Sequence, residues 1–175
     1  VTHSLTPTRN DEHDMASDDG EGLRAILYSR GSLKLLDQRV IPYEKTFLDV
    51  KGTEDGWRMI NSMVVRGAPA IAIAGVLSLA VELANTMEAL TAAGDVDATL
   101  EMIKAKLQYL VTSRPTAVNL AIAARDLTDL VTACRAKEGA TSAGLAEAVI
   151  AAAEELMRTD TEGNLRMGRH GSAAI

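Results

Sequence analysis

A chain of 175 residues that is 47% hydrophobic but only 3% aromatic suits one domain built around an aliphatic core. Its 18 basic and 24 acidic residues give a net charge of −6, and no run of lysine and arginine offers phosphates a basic face, which argues against a nucleic-acid partner. A single cysteine excludes an internal disulfide framework, and the apolar stretch from Ile71 to Val81 is too short to cross a bilayer.

Residues 1–22, VTHSLTPTRNDEHDMASDDGEG, are polar and acidic, with almost nothing to bury. They resemble neither a signal peptide nor a folded segment, so a disordered tail is expected, and a soluble intracellular protein with it. His3 and His13 lie in this tail, where unstructured surface histidines are far commoner than metal ligands.

Structure is expected from Leu23. LRAILYS and SLKLLDQ flank the turn signal RG, and KTFLDV follows Pro42. Such short, partly alternating segments predict a small antiparallel sheet over residues 23–52. Alternation breaks at Leu35 and Leu36. Asp37 and Gln38 are candidate polar ligands, though at a strand end such side chains more often bond to backbone.

The period changes to that of helices at Thr53, an N-cap candidate followed by Glu54 and Asp55. Trp57, Ile60 and Val64 then share a face. A second helix, apolar all round, is expected from Pro69, and a third after AGDVD with Val96, Leu100, Ile103, Leu107 and Leu110 as its stripe. A fourth is expected from Pro115, with Ala117, Leu120, Ala121, Ala124, Leu127, Val131 and Cys134 inward. A fifth starts near Thr141 and carries Leu145, Val149 and Leu156. The fold class is α+β, predominantly α: a small sheet followed by a helical bundle over residues 53–175. Cys134 is expected to be a buried hydrophobe rather than a nucleophile.

The sequence MVVRGAPAIAIAG places Arg66, Gly67 and Ala68 directly before Pro69. Proline suits the first helical position, so these residues form the turn into the helix. Helix starts carry a partial positive charge and unpaired N–H donors, which repel an arginine. An anion reverses that sign, because donors, dipole and guanidinium then converge on one negative group. Gly67 lets a ligand approach the backbone. VTSRPTAVNL repeats the pattern with Arg114 before Pro115. If the two ends converge, they form a dianion clamp; the plainer alternative is that each arginine reaches a carboxylate elsewhere.

LDQRVIPYE, VVRGAPAIAIAG and SRPTAVNL, in this order and spacing, resemble the amino-terminal region of the S-methyl-5-thioribose-1-phosphate isomerases, within the superfamily of the α, β and δ subunits of translation initiation factor 2B. The resemblance extends to GRHGSAAI, similar to the family's segment before its second domain. It implies an aldose–ketose isomerase of methionine salvage that converts 5-methylthioribose 1-phosphate to the ketose 1-phosphate. It implies substrate contacts from Arg66, Gly67, Ala68 and Arg114, a homodimer, and residence in the cytoplasm and the nucleus. The family's catalytic cysteine and aspartate belong to a Rossmann-like second domain absent from these 175 residues, so no catalytic residue is assigned here. The chain alone is expected to be inactive and part of a longer protein. His170, in RMGRHGS, is expected to be a surface or interface histidine. No cofactor or metal is implied, since there is no ligand cluster, Walker sequence or glycine-rich dinucleotide turn. The competing expectations are a regulatory subunit acting through protein–protein contacts and a plain helical assembly module.

Overall fold

The computed structural model describes residues 23–173. The expected tail of residues 1–22, with His3 and His13, and the last two residues of GRHGSAAI lie outside the described residues. Strands β1 (Ile26–Ser29), β2 (Ser32–Leu36) and β3 (Phe47–Val50) form an antiparallel sheet in the order β1-β2-β3. Tyr28 pairs with Leu33 and Leu35 with Leu48. Leu33, Leu35 and Val50 face the core. Leu36, at the end of the central strand, is buried as well, and its N–H donates to the Ala25 carbonyl.

Six helices follow: α1 (Thr53–Asn61), α2 (Ala68–Asn85), α3 (Met87–Ala93), α4 (Val96–Thr112), α5 (Val118–Arg135) and α6 (Ser142–Ala173). Helix α2 is the hub. Every residue from Ile71 to Val81 is buried, because α1, α5 and α6 pack round it and the sheet covers part of its side. At 18 residues and mean hydropathy 1.7 it is long and apolar enough to cross a membrane, more than the apolar run alone suggests, but 67% of it is buried inside the bundle. On α4 the predicted stripe holds: Leu100, Ile103, Leu107 and Leu110 are buried, each contributing roughly 1.5–3 kcal/mol by leaving water. The sheet is fastened to α6 by Arg30, which reaches Glu147 and Glu154 at 2.9 Å, and by the Tyr28 hydroxyl, which donates to Glu154.

Five expectations need correction. Thr53 does not cap α1; it is the first helical residue, and its N–H donates to the Glu82 carboxylate of α2 at 2.9 Å. Helix α5 begins at Val118, not Pro115, because Arg114 to Ala117 closes a turn in which the Ala117 N–H donates to the Arg114 carbonyl at 2.9 Å. Proline sits there at the second turn position, which its fixed φ favours. Ala121 and Leu156 are exposed and Cys134 is only half-buried. For Leu156 the reason is length: α6 has 32 residues against 18 for α2 and α5, so its buried face ends at Ala153. Helix α3, with no buried residue, leaves no apolar stripe to read.

Candidate functional site

The turn into α2 is built from both sides. Helix α1 stops at Asn61, and Met63 takes a left-handed φ of 61°, uncommon outside glycine and a reversal that ends the helix. The Met63 N–H donates to the Ile60 carbonyl and the Val64 N–H to that of Met59. Val64 and Val65, both 1% exposed, pin the segment into the core and leave Arg66 in solvent. Gly67 then adopts φ 94°, ψ 135°, a conformation that only glycine takes without strain, and its carbonyl accepts from the Ile71 N–H at 2.9 Å. Pro69 lies in the first turn, as expected for a residue without an N–H.

The β2–β3 connection lies against this turn. The Gln38 N–H donates to the Val64 carbonyl at 3.0 Å. Asp37, 5% exposed, accepts from the backbone N–H and Nε of Arg39 and, through its other oxygen, from Arg39 Nη2 at 2.6 Å. Hydrogen bonds from the Arg39 guanidinium hold the Asp37 carboxyl below its ordinary range against the opposing effect of burial, and the charge of Arg66 adds to that depression. The carboxylate is therefore committed to the fold, in agreement with the backbone-bonding expectation for this strand end.

Arg114 stands on the other side. Asn61 Nδ2 donates to the carbonyl of Ser113, the preceding residue, at 3.1 Å, so the end of α1 is tied to the end of α4. Arg114 is half-buried, and its guanidinium makes no hydrogen bond or ion pair with another described residue. Arg66 makes one, from Nε to the Met63 carbonyl at 3.2 Å. By contrast Arg30, Arg39, Arg58, Arg125, Arg135 and Arg158 all hold carboxylates, while Arg166 and Arg169, exposed on the last turns of α6, hold none. Among the described residues, neither Arg66 nor Arg114 holds a carboxylate in an ion pair.

The helix starts tell the same story. Helix α1 is served by Glu82, α4 by Asp95 and α6 by Thr141, whose hydroxyl accepts from the Gly144 N–H, while α3 has Glu88 in its first turn. Among the described residues only α2 and α5 have neither a side-chain cap nor an acidic first turn. The two helices pack together near these starts, although neither Arg66 nor Arg114 lines the cleft between them. Pro69 and Asn119 line one cleft of about 240 Å³, and a Cβ on Gly75 of α2 would lie 2.7 Å from the Leu120 side chain of α5. A larger open cleft near Gly52 and Tyr109 is lined by groups already engaged with one another, Lys106 with Glu82 and Tyr109 with Glu54. Chemically, the start of α2 offers an anion free N–H donors and a guanidinium, without a competing carboxylate in its first turn.

His170 is exposed on α6, and the described residues hold no cluster of metal-ligating side chains. Two residues of this constellation, Arg39 and Asn61, escaped the sequence analysis. The Asp-x-Arg spacing of residues 37–39 is a readable local signal; nothing local marks Asn61, whose partner is 52 residues away.

The chain matches the model of the initiation factor 2 subunit family over residues 64–175. It is 44% identical over 155 residues to a methylthioribose-1-phosphate isomerase of Vitis vinifera, covering 89% of this chain and 40% of the relative. It is 48% identical over 153 residues to the isomerase of Ricinus communis, covering 87% of this chain and 39% of the relative. Among solved structures, 5-methylthioribose 1-phosphate isomerase from Pyrococcus horikoshii OT3 matches with a TM-score of 0.74 and 28% identity, over 87% of this chain and 41% of that one. The δ subunit of translation initiation factor eIF-2B from A. fulgidus matches with a TM-score of 0.71 and 29% identity, over 88% and 42%. The chain thus spans about 40% of the length of the curated relatives it matches.

Proposed function

We propose that this chain, which belongs to the initiation factor 2 subunit family, forms the phosphate-holding part of an aldose–ketose isomerase acting on 5-methylthioribose 1-phosphate in methionine salvage. The observation that carries the reading is the sequence likeness to methylthioribose-1-phosphate isomerases over nearly the whole chain. Fold alone does not decide, because an isomerase and a factor subunit superpose on it almost equally well. Two arginines that hold no carboxylate among the described residues, beside two helix starts without acidic first turns, support the same reading.

In the reaction the bond from C1 to the ring oxygen breaks, and the ring oxygen takes a proton and becomes the C4 hydroxyl. A hydrogen and its bonding pair pass from C2 to C1, and the C2 hydroxyl gives up its proton to become a ketone. The phosphate stays on C1 throughout. Arg66, Gly67 and Ala68 hold that phosphate, Arg66 through its guanidinium and the turn through N–H groups at the positive end of α2. Arg114 supplies the second cation. Fixing the phosphate fixes C1 and C2 beside it, which is the positioning part of catalysis. The groups that move the hydrogen are assigned to the part of the protein that corresponds to the remaining length of the relatives. Homodimeric assembly and residence in the cytoplasm and nucleus belong to the same proposal and rest on the motif resemblance.

The test is an isomerase assay with 5-methylthioribose 1-phosphate on the protein carrying this chain together with the region matching the rest of its relatives. Arg66→Ala and Arg114→Ala are measured beside it. Turnover that falls in both variants supports the reading. Absence of turnover in the parent protein refutes it in favour of a regulatory subunit that works through protein–protein contacts.

A further inference from the structure

A carboxylate beside a phosphate seat competes with the ligand for the cation of that seat. Asp37 is so placed. It is 5% exposed, and the backbone brings it to the Arg66 turn: its N–H donates to the Thr46 carbonyl at 2.8 Å, and the next N–H, of Gln38, donates to Val64, two residues before Arg66. The charge of Arg66 acts on this carboxylate in addition to that of Arg39. Yet the two do not pair. Arg66 uses Nε on the Met63 carbonyl at 3.2 Å, and among the described residues its two terminal nitrogens hold nothing.

Arg39 is what keeps them apart. Oδ1 of Asp37 takes the Arg39 N–H at 3.0 Å and Nε at 2.8 Å, and Oδ2 takes Nη2 at 2.6 Å. A fork that grips both oxygens is the strongest pairing a carboxylate finds on a protein. Closure of the loop does not depend on it, because backbone bonds at Asp37, Gln38 and Tyr43 already close the loop. We propose that Arg39 is a positioning residue of the phosphate seat: by holding both oxygens of Asp37 it keeps that carboxylate off the Arg66 guanidinium and leaves Arg66 to the ligand. The proposal rests on the reading of Arg66–Ala68 as the phosphate turn.

Without the fork, Asp37 keeps one backbone donor from residue 39. A buried carboxylate left so thinly paired is costly, and it takes the free guanidinium whose field it already feels. Arg66 and Asp37 then neutralise one another, and the sugar phosphate must part them before it binds. The loss appears in binding rather than in the movement of hydrogen, and it passes entirely through Arg66. Truncation of Arg39 opens no hole in the core, since 43% of its side chain is exposed.

The experiment measures KM and kcat for 5-methylthioribose 1-phosphate in the same longer protein. KM is independent of how much of a preparation is folded, so partial misfolding cancels. Arg39→Ala is expected to raise KM by about tenfold or more with kcat nearly unchanged. Arg39→Gln, which keeps the length of the side chain without its charge, is expected to do the same. Arg39→Ala combined with Asp37→Asn is expected to return KM to within about twofold of the parent, because no charge remains to capture Arg66. In an Arg66→Ala background, Arg39→Ala is expected to add nothing. A parental KM in both single variants at Arg39, while Arg66→Ala still lowers turnover, overturns the inference and leaves the phosphate reading standing. A KM that stays raised when Asp37 is also neutralised, or that rises as far without Arg66 as with it, assigns Arg39 to the fold or to the substrate itself and overturns the inference as well. An Arg66→Ala variant with parental turnover, or a parent with none, overturns the inference together with the reading beneath it.

Discussion

Gly67→Ala isolates what the backbone contributes at the turn. Gly67 holds φ 94°, ψ 135°, and a Cβ added there meets nothing within 4 Å. No clash enters, so the cost is conformational strain alone, about 1–3 kcal/mol for an L-residue in a sparsely populated region. Stiffening of the unfolded chain returns about 0.4–1 kcal/mol. The net destabilisation is about 1–2 kcal/mol, which lowers Tm by roughly 2–8 °C for a domain of this size. Rotation of residue 67 to negative φ relieves the strain, but it turns the adjoining N–H groups and Arg66 away from their shared direction. The kcat/KM for the sugar phosphate is then expected to fall by about tenfold or more, as when hydrogen bonds to a charged group are lost. Thermal unfolding followed by circular dichroism and the isomerase assay are run on the same preparation. A parental Tm refutes the strain assignment. A lowered Tm with parental kcat/KM leaves the strain in place and refutes the role of this turn in holding phosphate.

Arg66→Ala and Arg114→Ala are each expected to cost about 10–150-fold in kcat/KM, the worth of a charge-assisted hydrogen bond, with Tm nearly unchanged because neither guanidinium holds a carboxylate among the described residues. Met63→Gly, which removes the Cβ from a left-handed residue, is expected to raise Tm by a few degrees; a lower Tm in calorimetry refutes the view that Met63 is strained there. Gly56→Ala is expected to lower Tm by several degrees, since its Cβ would come within 2.2 Å of Ser78 Oγ where α1 crosses α2, and a parental Tm refutes so tight a crossing. Asp37 has a carboxyl depressed in the folded state by Arg39, so its contribution is present above the unfolded value near pH 3.9 and is lost as pH falls through the lower folded value. Asp37→Asn is therefore expected to flatten the loss of stability below about pH 4 in urea titrations, and an unaltered pH profile refutes the assignment.

What the sequence discloses here divides by the range of the interactions. Period-two leucines and valines mark the strands, and the spacing of Leu100, Ile103, Leu107 and Leu110 marks α4, because burial writes its period directly into neighbouring residues. Pro69 marks the start of α2 because the constraint lies in its own ring. The cap of α1 is different: Thr53 is locally a good cap, but Glu82 from 29 residues away takes the N–H instead. Pro115 fits a helix start and a turn equally well, and the hydrogen bond at Ala117 decides for the turn. At the site, the presence of Arg66 and Arg114 is legible, but whether a carboxylate meets them is not, since it depends on where the acidic side chains fall after folding.

Helix α1 behaves as a strut. Its first N–H is pinned to Glu82, which also grips Lys106 of α4 at 2.7 Å, and its last residue, Asn61, is pinned to the Ser113 carbonyl at the far end of that same helix. Between the pins run nine residues, about 13 Å, and the Arg66 turn hangs from the second one. One residue added to or removed from α1 would swing Asn61 by about 100° and detach it from Ser113. The tolerance to length change usual of connecting segments therefore stops at Gly52: across this short span, the spacing between the two arginine-bearing turns is set by a count of residues.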